Sequence, residues 1–424
     1  MEGLLIGIAA SLVAGVVLAG GGWLWYRRNP RRAGVTKEDL ERVKQQIFEY
    51  FNHWRAVPQK STEQLVSAAP PDRFKLLEEA AEAQREHRYA EAVEHLRAAL
   101  TPDLPAAERA SLLVLIGNSL LNLSRLDGAE DTYKEALAAA AEAGDEQARA
   151  AALGNLGIVY AGRGDLDRAE EHHKQALEID RRIDDPLGQA TALGNLGIVY
   201  HQRGHLDRAE EHYKDALEIH RRIDNPLGQA VALGNLGLVH ADRGDLERAE
   251  EHHRQALEID RRIDNPLGQA EDLGNLGNVY RRRGDLERAE EHYRQVLEVH
   301  QRFPNPLSEA NALGNLGLVY ARRGDLERAE EHHRQALEIF RRIDNPLGQA
   351  NQLANLGVLA AQRGQPDEAR RLLAEALALY QRIGAGGEGP DKVRAALRRL
   401  EAAGGQEKPR RRARKRKDQE PPAG

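Results

Sequence analysis

A segment of forty residues is written out again and again along this chain, and that repetition limits the fold more than any other feature. Residues 232–271 and 312–351 differ at only four of forty positions, His240/Tyr320, Asp242/Arg322, Asp260/Phe340 and Glu271/Asn351. Copies begin near residues 112, 152, 192, 232, 272, 312 and 352, and a weaker one lies over 73–105, which makes eight units. A period of this length marks supersecondary units that bury their apolar faces only against one another. The 424 residues are therefore not divided by an average domain size.

Within one unit Leu153, Leu156, Val159 and Tyr160 recur at intervals of three and four. Gly164-Asp165 interrupts, and Leu166, Ala169, His173, Ala176 and Leu177 resume the period. This spacing predicts a helical hairpin. Gly164 suits the residue after a helix end, Asp165 caps the next helix, and Asp264-Asn265-Pro266 supplies a cap followed by proline in the first turn. Glu250/Arg254, Glu290/Arg294 and Glu330/Arg334 stand in the favourable i, i+4 order. Composition agrees: 30% charged and 4% aromatic residues suit amphipathic helices, so few strands are expected. The absence of cysteine excludes disulfides, cysteine-ligated metal and thiol catalysis.

The pattern Leu153-x-x-Leu156-Gly157-x-x-Tyr160, followed by Gly164, Ala169 and Ala176, resembles the tetratricopeptide repeat, in the forty-residue form similar to kinesin light chain and Partner-of-Inscuteable proteins. The resemblance covers roughly residues 73–385. It implies an all-α, right-handed superhelical solenoid of about eight hairpins, whose first helices line a concave groove that binds a peptide or protein partner. It also implies that Gly157 lets the two helices of a hairpin approach closely, while Gly154 faces the groove and leaves room for a ligand backbone. The chain departs from the family where His173, His253 and His333 alternate with Tyr213 and Tyr293 at a usually aromatic place.

By that analogy the groove positions are Ala151, Gly154, Ile158, Ala161 and Gly162 and their equivalents every forty residues. The line Ile158, Ile198, Leu238, Leu318 and Val358 is apolar, but the unit from residue 272 carries Asn278 and Arg281-Arg282 instead. With Asn311 and Arg322 these resemble the carboxylate clamp of some members, in which Asn and basic side chains hold a peptide carboxylate. Drift on a solvated face is the alternative. Asn155, Asn195, Asn235, Asn275, Asn315 and Asn355 recur in every unit from residue 152 on, and such constancy reads as service to the frame rather than to a ligand.

No reaction chemistry emerges. Glu170-x-x-His173 has the spacing of di-iron bundles, but its histidine shares a slot with tyrosine, which points to ring packing. No zincin, Walker or nucleophile-elbow motif occurs, so neither an enzyme nor any cofactor is expected.

The termini differ in kind from the repeats. Gly3 to Tyr26 holds 24 residues without a charge, roughly 36 Å of helix, enough to span a bilayer. Glu2 before it and Arg27, Arg28, Arg31 and Arg32 after it favour an anchor over a cleaved signal peptide, with the N-terminus outside and the repeats cytoplasmic. Leu40, Val43, Ile47, Tyr50, Trp54 and Val57 form a heptad seam over 36–57, for self-association or for packing on the first repeat. Gly384–Gly389 reads as a flexible joint, and Val393, Leu397 and Leu400 mark a capping helix. The expected layout is an anchor (1–32), a juxtamembrane helix (33–57), a linker (58–72), the solenoid (73–385), the cap (386–403) and a disordered basic tail (404–424). Lys408, Arg410, Arg411, Arg412, Arg414, Lys415, Arg416 and Lys417 carry eight positive charges, and since the net charge is -6 the remainder sits near -14. An acidic body argues against a broad nucleic-acid groove, so any anionic lipid or RNA contact falls to the tail. Two functions follow as expectations: a membrane-anchored scaffold that recruits a partner through its groove, or a tether that acts through the tail with the repeats as a spacer.

Overall fold

The computed structural model describes residues 71–85 and 88–417, which form seventeen α-helices and no strand among the described residues. The first hairpins are α1 (Pro71–Arg85) with α2 (Tyr89–Ala99), α3 (Ala106–Asn122) with α4 (Leu126–Ala143), α5 (Glu146–Gly162) with α6 (Leu166–Arg182), and α7 (Pro186–Gln202) with α8 (Leu206–Arg222). Next come α9 (Pro226–Arg243) with α10 (Leu246–Arg262), and α11 (Pro266–Arg283) with α12 (Leu286–Arg302). The last two are α13 (Pro306–Arg323) with α14 (Leu326–Arg342), and α15 (Pro346–Gln362) with α16 (Pro366–Arg382), after which α17 (Glu388–Lys417) closes the array. The segments expected as an anchor (1–32) and a heptad helix (33–57), and most of the linker, lie outside the described residues. Among the described residues no helix is long and apolar enough to cross a membrane.

Local chemistry sets the helix ends. Asp165, Asp245, Asp285 and Asp325 each cap a second helix by accepting a backbone N–H from the residue three ahead. Asn225, Asn265, Asn305 and Asn345 do the same for first helices, with proline in the opening turn. Between hairpins the chain turns through Asp184, Asp224, Asp264 and Asp344, all at φ between 51° and 54°, a left-handed conformation that aspartate tolerates better than most residues. Pro304 stands at the corresponding place before α13 and cannot adopt it. There the turn is rebuilt, with Phe303 at φ -124° and the buried His300 ring bonded through Nδ1 to the Phe303 carbonyl at 3.1 Å.

Each second helix packs on the first helix of its own hairpin and on that of the next. First helices also meet one another, as α3 with α5, α5 with α7, α9 with α11 and α11 with α13, whereas no two second helices approach as closely. The first helices thus form the inner layer. Leu156, Leu196, Leu236 and Leu276 are about 1% exposed, and each such leucine stabilises the stack by about 2 kcal/mol relative to exposure.

The close approach expected at Gly157 is present: a Cβ added there would lie 2.5 Å from Cε1 of His173. The same slot holds Tyr133, His173, Tyr213, His253, Tyr293 and His333 in turn, each pressed on a glycine of its own hairpin. Seven residues on, Asp180, His220, Asp260 and His300 alternate likewise. The structural repeat is therefore two hairpins, eighty residues, over this stretch. Burial pushes Asp180 and Asp260 up to about 7, with Asp185 adding to the first, and it pushes His173 and His253 down to about 3.

A polar staple crosses the junctions on the other side. The Tyr160 hydroxyl donates to Glu130 at 2.8 Å, and Lys134 and Arg163 bind the same carboxylate, holding it at about 2. Tyr200, Tyr280 and Tyr320 repeat the bond to Glu170, Glu250 and Glu290, each at 2.6 Å. The expected pairs are formed too: Glu250 with Arg254 and Glu330 with Arg334 at 2.6 Å, and Glu290 with Arg294.

At the far end Val393, Leu397 and Leu400 cover Leu373 and Tyr380. The last helix does not stop at the 403 boundary expected for the cap but continues to Lys417, so residues 404–417, expected to be disordered, are helical, and all eight basic residues of the run lie on α17.

Candidate functional site

The inner face is built from one stripe per first helix. Residues at i, i+4, i+7 and i+11 fall within about 60° of one another on an α-helix, and on α11 they are Glu271, Asn275, Asn278 and Arg282. The neighbouring stripes are Asn311, Asn315, Leu318 and Arg322 on α13, and Asn351, Asn355, Val358 and Gln362 on α15. Stripes open toward the C-terminal half. Ala151 and Asn155 on α5 are buried, whereas Glu271, Asn311, Asn351, Arg282, Arg322 and Val358 are exposed.

The five residues singled out in the sequence do not form one cluster. Asn278 accepts from the Tyr293 hydroxyl at 2.9 Å, and Arg281 donates to that hydroxyl at 3.4 Å. Asn118 and Tyr133 make the same pair at 2.7 Å four hairpins earlier, so Asn278 serves its own hairpin. Arg322 donates to the Arg281 carbonyl at 2.8 Å, in the last turn of α11, where a cation also meets the negative end of the helix dipole. Arg282 and Arg322 are exposed at equivalent places on adjacent helices, about 10 Å apart by ordinary helix spacing. Asn311 lies eleven residues before Arg322 on α13, about 16 Å away along the axis. What the structure leaves available is a basic edge of Arg282 and Arg322, with Asn311 at the opposite edge.

The residues set aside as framework stand out instead. The side chains of Asn275, Asn315 and Asn355 are half-buried and make no hydrogen bond with another described residue. Each projects one carboxamide at the same level of three successive stripes. The only signal for this placement in the sequence was the recurrence itself, which reads equally as framework.

The surroundings of Gly154 and its equivalents differ along the array: at Gly154 the nearest atom belongs to the second helix of the same hairpin, and at Gly234 and Gly314 to the first helix of the next. The nearest atom to a Cβ at Gly154 is the Ala176 Cβ at 4.0 Å, whereas Gln352 comes within 2.8 Å over Gly314 and the Asp272 carboxylate within 3.7 Å over Gly234. At Gly194 a cavity of about 20 Å³ remains, lined by Thr191, Tyr213, Val231 and Asn235, room for about one water. The apolar line of Ile158, Ile198, Leu238 and Leu318 is half-buried, and Val358 is its exposed end at 44%. His201 and Asp242, both largely buried, join α7 to α9 at 2.9 Å and close that part of the face. Among the described residues no group of three or more His, Asp or Glu is placed to hold a metal ion.

Stacked antiparallel helix pairs with an inner layer of first helices define a helical-repeat solenoid. The sequence family described as tetratricopeptide repeat matches residues 108–182 and 162–222, and the MalT-like TPR region matches 224–385. The chain is a tetratricopeptide-repeat protein. No curated protein matches it in sequence. Solved structures share the fold at low identity. The apo quorum sensor NprR from B. thuringiensis is 15% identical with a TM-score of 0.62, over 80% of this chain and 98% of that one. Apo RapI is 15% identical with a TM-score of 0.54, over 65% and 99%. A Rap protein complexed with competence and sporulation factor is 15% identical with a TM-score of 0.51, over 79% and 99%.

Proposed function

We propose that this chain is a protein-interaction scaffold whose inner face, over α11, α13 and α15, holds an extended peptide segment of a partner. The observation that carries this reading is the row of unpartnered carboxamides at Asn275, Asn315 and Asn355. A carboxamide offers a donor and an acceptor together, which matches the N–H and C=O of an extended backbone without reading its sequence. Arg282 and Arg322 along one edge suit carboxylates, since a guanidinium binds them through two parallel hydrogen bonds. The Rap structure bound to competence and sporulation factor is a case of this fold with a partner. The forty-residue period supports placing the repeats with the form similar to kinesin light chain. Nothing in the reading calls for catalysis.

The uncharged stretch from Gly3 to Tyr26 and the arginines after it support membrane attachment with the scaffold in the cytoplasm. Digestion of the repeats by a protease added outside intact cells would refute that placement. The basic end of α17 supports a second, electrostatic contact with anionic lipid or RNA. Cross-linked pull-downs separate these roles. Partners are expected to disappear with Asn275→Ala/Asn315→Ala/Asn355→Ala and with Arg282→Ala/Arg322→Ala, and to survive deletion of residues 408–417. Unchanged recovery with both groove variants would refute the scaffold reading.

A further inference from the structure

We propose that the open half of the inner face selects a strand of two signs: carboxylates at alternate positions along one edge, and a cationic side chain between them on the other. The inference rests on the peptide-groove reading and adds what the peptide must carry.

Among the described residues Glu271 is the one carboxylate on the three open stripes; its side chain is exposed to solvent, while the helices packed around it partly desolvate the carboxyl group and raise its proton affinity. It shares a stripe with Arg282, eleven residues on and about 16 Å away. Neither makes an ion pair with another described residue, nor does Arg322, whose bond goes to a backbone carbonyl. Elsewhere the cations at helix ends are neutralised, as Arg163, Arg203, Arg243, Arg283 and Arg323 each bind a glutamate of the preceding second helix. The charges on the inner stripes are thus left without partners, acid at one edge and base at the other.

A backbone lying on the carboxamide row runs across the helices, with Glu271 about 6 Å to one side and Arg282 about 10 Å to the other along the axis of α11. Side chains of an extended strand alternate between its two sides. Those at i and i+2 point the same way about 6.7 Å apart, within reach of two flexible arginines whose helices stand about 10 Å apart. Residue i+1 faces Glu271. Like charge there is disfavoured and a lysine or arginine is favoured, which fixes the parity of the strand as well as its composition.

Fluorescence anisotropy with the full chain and synthetic nine-residue peptides tests this. One peptide carries Glu at i and i+2 with Lys at i+1 in an Ala/Thr background, and the other has Glu at all three. Wild type is expected to bind the first about tenfold more tightly, and Glu271→Lys to reverse the order. Arg282→Glu/Arg322→Glu should bind neither. Equal binding of both peptides by wild type, abolished by Asn275→Ala/Asn315→Ala, would overturn the two-signed strand and leave the groove intact. Failure of wild type to bind either peptide would overturn both readings.

Discussion

Two glycines one turn apart on α5 should respond in opposite directions to the same methyl group. Glycine in a helix interior costs about 1 kcal/mol relative to alanine, so Gly154→Ala and Gly157→Ala begin with the same gain. At Gly154 the nearest atom stands 4.0 Å from the new Cβ, an ordinary contact, and the substitution should stabilise by about 0.5–1 kcal/mol. At Gly157 the Cβ would lie 2.5 Å from Cε1 and 2.7 Å from both ring nitrogens of His173, which is 1% exposed and has nowhere to go. Forcing the hairpin apart costs about 1–3 kcal/mol, which offsets or exceeds the helix gain of about 1 kcal/mol, so the net change should be a loss of up to about 2 kcal/mol. Hydrogen exchange of the α5 and α6 amides is the suitable assay, because an array of hairpins does not unfold as a single unit. A companion cycle with His173→Ala should remove most of the Gly157→Ala penalty. Equal and parallel effects at the two glycines would refute the account of close approach, as would a penalty at Gly157 that persists without the ring.

Two further substitutions read the buried charges. His173 is held neutral by burial, its proton affinity lowered to about 3, so the unfolded chain takes up a proton first. Its contribution is complete above about 6.5 and is lost as pH falls toward 3. His173→Tyr, the residue found in this slot at Tyr213, should leave local stability near pH 7 little changed and raise it by about 1–2 kcal/mol at pH 5, measured by hydrogen exchange of the same amides at the two pH values. Asp180 has the opposite sign. Its folded-state value is raised to about 7, so its contribution is complete below about 4 and disappears as pH rises through 7. Asp180→Asn should therefore match wild type near pH 4 and exceed it by a few kcal/mol at pH 8. A gap that does not widen with pH would refute the burial argument.

Period, hairpin boundaries and caps were legible because they depend on residues a few places apart, as with Gly164-Asp165 and Asn265-Pro266. The left-handed turn at Asp264 was not, since its aspartate reads as a cap until the geometry assigns that task to Asn265. The bond that Asn278 makes within its own hairpin was hidden for a related reason. Its partner, the Tyr293 hydroxyl, is fifteen residues away on another helix, and only the folded hairpin brings them within 2.9 Å. That the carboxamides of Asn275, Asn315 and Asn355 bond to no other described residue was not legible, because constancy along a repeat does not say whether a residue faces a neighbour or solvent. The two edges of the groove depend on helical phase: Glu271 and Arg282 become one stripe only when eleven residues are wound into three turns.

The two-hairpin alternation bears on how this molecule can change length. Each joint involves only the hairpins on either side of it, so its fit is a local matter. Removing or duplicating forty residues would bring together two hairpins of the same kind, histidine slot beside histidine slot. Removing or duplicating eighty restores the order of rings and of buried Asp180- and His220-type residues at every seam. Where two copies differ at only four of forty residues, as 232–271 and 312–351 do, unequal exchange between them is a ready source of such steps. Steps of eighty would extend or shorten the reach of the scaffold while leaving every remaining joint as it was.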